Sequence, residues 1–112
     1  MANELKAICT ALEAMPGIQK ATRGWPQADE TLPCAVVREL ANTPIYYGDT
    51  PYATDIEIQV SVYAATDDDK DAAADDVDTC MTGMHYARVS VWDDDGEVNR
   101  KKEMRYIKRM AV

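Results

Sequence analysis

The clearest pattern in the sequence is an alternation over residues 55–64, which read DIEIQVSVYA. Every second residue from Ile56 to Ala64 is apolar, and the residues between them are polar or tyrosine. Side chains alternate between the two faces of a pleated sheet, so this pattern predicts a β-strand with one buried face. We expect the other elements to be arranged around this strand.

Length and composition are those of one soluble domain covering residues 1–112. Of the 112 residues, 46% are hydrophobic and 29% are charged, and a chain of this size can bury enough surface to fold without staples. No apolar run approaches the ~18 residues of a membrane span, and the N-terminal residues lack the pattern of a secretory signal. We therefore expect no membrane partner, and synthesis and assembly in the cytoplasm.

Two segments have the periodicity of amphipathic helices. In the first, about Asn3 to Met15, apolar residues recur every three or four positions, and Pro16-Gly17 ends the pattern. The second, about Asp67 to Met84, begins with a capping-box-like pair, Thr66 and Asp69. Its apolar stripe consists of Ala73, Val77, Cys80, Met81 and Met84. Each helix should pack its stripe on the sheet.

Four further segments have strand character. They are a short strand near Ile18 to Thr22, a strand over Cys34 to Leu40, and two strands over Arg88 to Trp92 and Glu103 to Met110. The last two are separated by turn residues at Asp93 to Gly96, which predicts an antiparallel hairpin. The sequence therefore predicts an α+β fold, with a mainly antiparallel sheet and two helices packed on one face.

A tyrosine-rich segment, residues 42–54, lies between two predicted strands. A turn at Gly48-Asp49 would fold it into a hairpin arm that carries Tyr46, Tyr47 and Tyr52. Tyrosine combines a large apolar face with a hydroxyl group and is enriched in protein interfaces. The sequence leaves two interpretations open, a contact surface for a partner or packing at the rim of the sheet.

Charge is unevenly distributed along the chain. The formal net charge is -8, which argues against direct binding of nucleic acid. The segment Asp67 to Asp78 holds seven aspartates, whereas residues 100–109 hold six of the 12 basic residues. Besides the three tyrosines, the candidate interface residues are therefore Asp68, Asp71, Arg105, Lys108 and Arg109.

The final strand has mixed character on both faces. One face would carry Met104, Tyr106 and Lys108, and the other would carry Ile107 between two arginines. Because neither face is purely polar, we expect a partner to cover this strand in an assembly.

The sequence offers little support for catalysis or metal binding. Aspartates between Asp67 and Asp78 match the spacing of an EF-hand loop, but Ala72 replaces the required glycine and Asp78 replaces the usual glutamate. His85 is the only histidine, and no nucleophile motif or phosphate-binding loop is present. The three cysteines are scattered singly, which argues against disulfides and zinc. We predict no catalytic residue, no metal and no cofactor.

The order of these segments resembles that of the tail terminator, or tail completion, proteins of long-tailed bacteriophages. The resemblance covers nearly the whole chain. Its residues are Leu32-Pro33-Cys34-Ala35-Val36-Val37, Tyr47-Gly48-Asp49, the run Ile56 to Tyr63, the spaced Ala73, Val77 and Met81, and Met104-Arg105-Tyr106.

The resemblance implies a structural virion protein. Members of that family are small α+β proteins that form hexameric rings, which cap the finished tail tube and present a surface to the head. It implies self-association, the tail-tube protein and a head-completion or connector protein as partners, and a location in the virion tail. Acidic and basic patches on one chain suit such a head-to-tail ring. The alternatives are another phage neck or tail-tube component, or an acidic DNA mimic that inhibits a basic host protein.

Overall fold

The computed structural model describes residues 2–23, 32–95 and 100–111. Their five strands form one sheet in the order β1-β2-β3-β5-β4, and the predicted α+β fold is confirmed. The elements are α1 (Ala2–Glu13), β1 (Lys20–Thr22), β2 (Cys34–Tyr47), β3 (Thr50–Ala64), α2 (Asp67–Gly83), β4 (Ala87–Asp93) and β5 (Arg100–Ala111).

Strand β3 is the centre of the sheet, as the alternating pattern predicts. It pairs antiparallel with β2 on one side and with β5 on the other. The apolar residues of the alternating run point to one face and are each no more than 1% exposed: Ile56, Ile58, Val60, Val62 and Ala64.

Both helices pack on that face of the sheet. Ile8 and Leu12 of α1 and Val77 and Met81 of α2 are fully buried, and they share one core with β3. The predicted helix start is also confirmed, because the Thr66 hydroxyl oxygen accepts a hydrogen bond from the backbone N–H of Asp69 at 3.2 Å. These caps and stripes are local features, which is why the sequence predicts them well.

The turn after α1 is tied to α2 at Gly17. Its backbone N–H donates to Asp76 Oδ2 at 2.7 Å, and a Cβ at this position would collide with the same carboxylate. Glycine therefore allows the close approach of the turn to the second helix.

The outer strands lie where they are predicted, and one of them, β1, pairs in parallel with its neighbour. β4 and β5 form the predicted antiparallel hairpin, although the predicted turn extends to Gly96, which lies outside the described residues. Strand β1 pairs with the start of β2 in parallel, through residues 20–22 and 34–36. Among the described strands, β2 therefore has a neighbour on both sides only over its first residues.

Strand β2 is longer than predicted, because it continues beyond Leu40 to Tyr47 and pairs with β3 down to Thr50. Gly48, at φ 62°, forms the turn. Residues 42–54, which we call the tyrosine arm, are therefore an antiparallel hairpin, with one register shift between Ile45 and Tyr46. The domain measures 50 × 23 × 23 Å, and a strand of 15 residues, the length of β3, spans ~50 Å. The long hairpin accounts for the long dimension.

Candidate interaction surfaces

The tyrosine arm projects beyond the part of the sheet that the helices cover. Tyr46, Tyr47 and Tyr52 are 57%, 84% and 48% exposed. Strand β5 ends at Ala111, opposite Ala53, so the tip of the arm is a ribbon of only two strands. This exposure favours the contact-surface interpretation over rim packing.

The three basic candidates on β5 already have acidic partners within the chain. Each partner belongs to a neighbouring element, so these cations link elements of the fold from its surface. The pairs are Arg105–Glu57 (3.1 Å), Lys108–Glu4 (3.5 Å) and Arg109–Asp55 (2.8 Å). Their predicted role in contacts between subunits stays a prediction, and it requires these pairs to be shared or exchanged.

Lys108 has a structural position that the sequence does not reveal. Its ammonium nitrogen lies 5.0 Å from the centre of the Tyr86 ring, and the Tyr86 hydroxyl donates to Glu4 Oε1 at 2.7 Å. Burial raises the pKa of Tyr86, and the hydrogen bond and charge of Glu4 raise it further. This cluster joins the start of α1 to the residues after α2 and to β5.

The two acidic candidates differ in their surroundings. Asp71 receives a hydrogen bond from Lys102 Nζ at 3.3 Å, whereas Asp68 is exposed on the first turn of α2. The acidic helix and the basic strand therefore meet within a single chain.

Lys70 is a buried cation that the sequence does not predict. Its side chain is 5% exposed, and its Nζ lies 3.5 Å from Asp67, 3.0 Å from Asp93 and 3.2 Å from Asp95. Burial alone lowers the pKa of Lys70, but hydrogen bonds to Asp93 and Asp95 outweigh burial and raise the pKa. Lys70 thus fastens the start of α2 to the β4–β5 hairpin. Its spacing from Ala73 and Val77, on the apolar stripe, is the signal that could have identified it.

The face of the sheet opposite the helices carries a polar network around Glu103. Glu103 is 3% exposed, and its carboxylate accepts hydrogen bonds from Ser61 Oγ at 2.7 Å and from Gln59 Nε2. Lys101 Nζ lies 2.9 Å away. Burial by itself raises the pKa of Glu103, but these three partners together hold it below its ordinary value. The network links β3 to β5 on the face that no described helix covers.

Strand β4 is an edge of the sheet, and no strand in the described part of the chain pairs with its outer side. Val89 and Trp92 on it are 53% and 41% exposed. The register shifts between Arg88 and Ser90, which makes Val89 the extra residue of a bulge. We call residues 88–92 the β4 edge.

The remaining candidates from the sequence are the acidic residues, the cysteines and the single histidine. Within residues 2–23, 32–95 and 100–111, no three acidic, cysteine or histidine residues are arranged to hold a metal ion, and no described helix is long and apolar enough to cross a membrane. Cys34 is buried, and Cys9 and Cys80 are partly buried. Burial raises the pKa of the Cys9 and Cys80 thiols, which opposes thiolate reactivity. His85 is exposed just after α2.

In comparisons with known proteins, no protein-family model and no curated protein matches the chain. The fold and its surfaces define a small α+β domain with a helix-covered core, an exposed aromatic hairpin and an open sheet edge.

Proposed function

We propose that this protein is a structural subunit of a long-tailed bacteriophage, a tail terminator that forms a ring, expected to be a hexamer, on the finished tail tube. The ring joins the tail to the head. The observation that carries the proposal is the tyrosine arm, which presents three exposed rings outside the core of the domain. The partners are then other copies of the chain, the tail-tube protein and a head-completion or connector protein. The protein is not an enzyme in this proposal, and it resides in the virion tail after assembly in the host cytoplasm.

The segments that carry the family resemblance occupy regular places in the fold. Residues 32–37 lead into β2, residues 47–49 form the turn of the arm, and residues 56–63 belong to the central strand. Ala73, Val77 and Met81 are the fully buried stripe of α2. Since the resemblance implies a small domain with helices on a sheet, this layout supports the proposal.

The exposed side chains of the arm support a role in protein contacts. A protein rarely exposes several large apolar side chains close together unless they bind something. Tyrosine is well suited to that purpose, because its ring loses little entropy on binding and its hydroxyl can hydrogen-bond at the rim of an interface. The groups with strongly raised pKa values, Lys70, Tyr86 and Tyr106, all join elements of the fold, so a structural explanation accounts for them.

The DNA-mimic alternative needs a free array of carboxylates, and part of that array is neutralised within the chain. Lys70 and Lys102 between them contact four aspartates of α2 and the β4–β5 hairpin: Asp67, Asp71, Asp93 and Asp95. A salt-sensitive complex with a basic host protein, without self-assembly, would favour the inhibitor instead.

Deleting the gene from its phage and imaging the particles by electron microscopy tests the function. For a tail terminator we expect filled heads without tails, together with detached tails of irregular or excessive length. Normal joined virions would contradict the proposal. Complete absence of tails would indicate the nearest alternative, a tail-tube component.

Complementation of the deletion gives the matched controls. Wild-type protein supplied in trans should restore joined virions, and so should Asp75→Asn, which changes an exposed helix residue away from the arm. The double variant Tyr46→Ser with Tyr47→Ser should fail to restore them. Full rescue by the double variant would show that the exposed rings of Tyr46 and Tyr47 are not needed for joining the tail to the head.

A further inference from the structure

Among the described residues, the exposed large apolar side chains form two separate patches plus one isolated residue. Tyr46, Tyr47 and Tyr52 lie on the tyrosine arm, whereas Val89 and Trp92 lie on the β4 edge. The isolated residue is Leu40, at the bulge of β2. Two different apolar patches on one chain are what a head-to-tail contact between copies requires.

The two patches cannot meet within one chain. Through β5, Arg88 of the β4 edge lies level with Ile58 of β3, and the tip of the arm is at Thr50. That separation along the strand is about eight residues, or roughly 26 Å at ~3.3 Å per residue. Only a second copy can bring an arm to a β4 edge.

Each patch includes one charged side chain, and the two are opposite in sign. Asp49 is exposed at the tip of the arm. The Arg88 side chain on the β4 edge is 54% exposed, and its pair with Asp78 within the chain is long, at 3.7 Å. Asp49 of one copy and Arg88 of another would attract each other and set the orientation of the contact.

We propose that the tyrosine arm of one subunit binds the β4 edge of a second copy, so that subunits join head to tail. This inference deepens the proposed ring function and rests on it. The tyrosine rings cover Val89 and Trp92, and Asp49 pairs with Arg88 of the second copy. The outer backbone groups of β4 give the arm additional hydrogen-bonding partners, as an open strand edge does in strand addition. A contact between two different patches repeats around a ring until the ring closes.

Mixing two variants tests the head-to-tail arrangement. Tyr47→Ser disables the arm, and Val89→Lys places a charge on the strand edge, a change that blocks pairing at sheet edges. In sedimentation velocity, wild-type protein should form species larger than a dimer, and each variant alone should be monomeric. A one-to-one mixture of the variants should form a dimer and nothing larger, because only one intact arm and one intact edge can meet.

Three outcomes would overturn the inference. They are a wild-type chain that stays monomeric up to about 1 mM, a wild-type chain that stops at a dimer, and a variant mixture that stays monomeric. Circular dichroism melting of each variant must match the wild type, which separates loss of contact from loss of fold. If the variants behave as expected but gene deletion leaves virions normal, the contact stands and the terminator function fails. If deletion yields detached tails but the mixture stays monomeric, the function stands and this contact fails.

Charge exchange tests the orientation. Asp49→Lys or Arg88→Glu alone should weaken self-association several-fold. The double variant should restore much of it, because the two charges are then exchanged and still attract each other. The control Asp75→Lys changes the charge as much as Asp49→Lys does, outside both patches, and should leave self-association unchanged. Absence of rescue in the double variant would contradict the assigned Asp49–Arg88 pair.

Discussion

The two halves of β3 differ although they form one continuous strand. From Ile56 to Ala64 the strand lies beneath two helices, and its inward side chains are almost completely buried. From Thr50 to Asp55 it continues with the same antiparallel partner, yet Tyr52 is about half exposed. Backbone pairing is therefore enough to form the strand. Its side chains are buried in the core only where the two helices pack on the sheet.

The energetic consequence is a division of roles along the molecule. Burying a valine or isoleucine side chain contributes roughly 1.5–3 kcal/mol, and the residues that do so lie in the helix-covered half. The arm buries little and leaves its rings available for a partner. Substitutions in the two halves should accordingly have very different effects on the free energy of unfolding.

The largest effect is expected from Val60→Asp in the helix-covered half. Val60 is 0% exposed, and a carboxylate without a partner in this core should cost several kcal/mol, much of the stability of a domain of this size. We expect no cooperative thermal transition by circular dichroism. The matched variant Tyr47→Asp, in the arm, should melt as the wild type does. A folded Val60→Asp variant would contradict the assignment of the core.

A smaller effect is expected from Glu103→Gln, on the face opposite the helices. Its partners hold the folded-state pKa of Glu103 below its ordinary value of 4.5, so the ionised carboxylate stabilises the native state above that pH. This contribution is lost as the pH falls through the folded-state pKa.

Urea unfolding at a series of pH values measures the contribution of Glu103. At about pH 6 the Glu103→Gln variant should be less stable than the wild type by on the order of 1 kcal/mol. The gap should narrow as the pH falls below 4.5, because only the wild type loses the charged hydrogen bonds. If the free energy of unfolding changes with pH in the same way for the wild type and the variant, ionisation of Glu103 does not contribute to stability.

Tyr106→Phe should reduce stability by about 1 kcal/mol or slightly less. The Tyr106 ring is fully buried, and its hydroxyl donates to Asp78 Oδ1 at 3.0 Å, which ties β5 to α2. The paired control is Tyr46→Phe, in the arm, which removes the same oxygen from an exposed ring. Equal melting temperatures for the two variants would argue against the importance of this tie.

The smallest effect on stability is expected from the double variant Tyr46→Ser with Tyr47→Ser. Exposed substitutions away from caps and cores usually change stability by less than about 0.5 kcal/mol each, so the melting temperature should stay close to that of the wild type. A large decrease in melting temperature would mean that the arm also stabilises the fold, and would contradict the different roles assigned to the two halves.

Much of the fold can be predicted from local patterns in the sequence. The alternation over residues 55–64 reflects burial on one side of a strand, and the Thr66 cap and Pro16-Gly17 reflect backbone geometry at helix ends. The positions of the arm and its turn follow from Gly48 in the same way. All of these depend on residues close together in the chain, which is why the central strand, both helices and the hairpins are found where they are predicted.

The sequence by itself determined the elements, the buried stripes and the identity of the exposed tyrosine segment. Only the tertiary structure decided which charges meet: Lys70 with the hairpin aspartates, Lys102 with Asp71, and Lys108 with Glu4. It also decided that the strand predicted over Cys34 to Leu40 and the first half of the arm form one continuous strand, and that β1 joins the sheet in parallel. The physical reason is that ion pairs and strand partners depend on register and on helix docking, which bring together residues far apart in the chain.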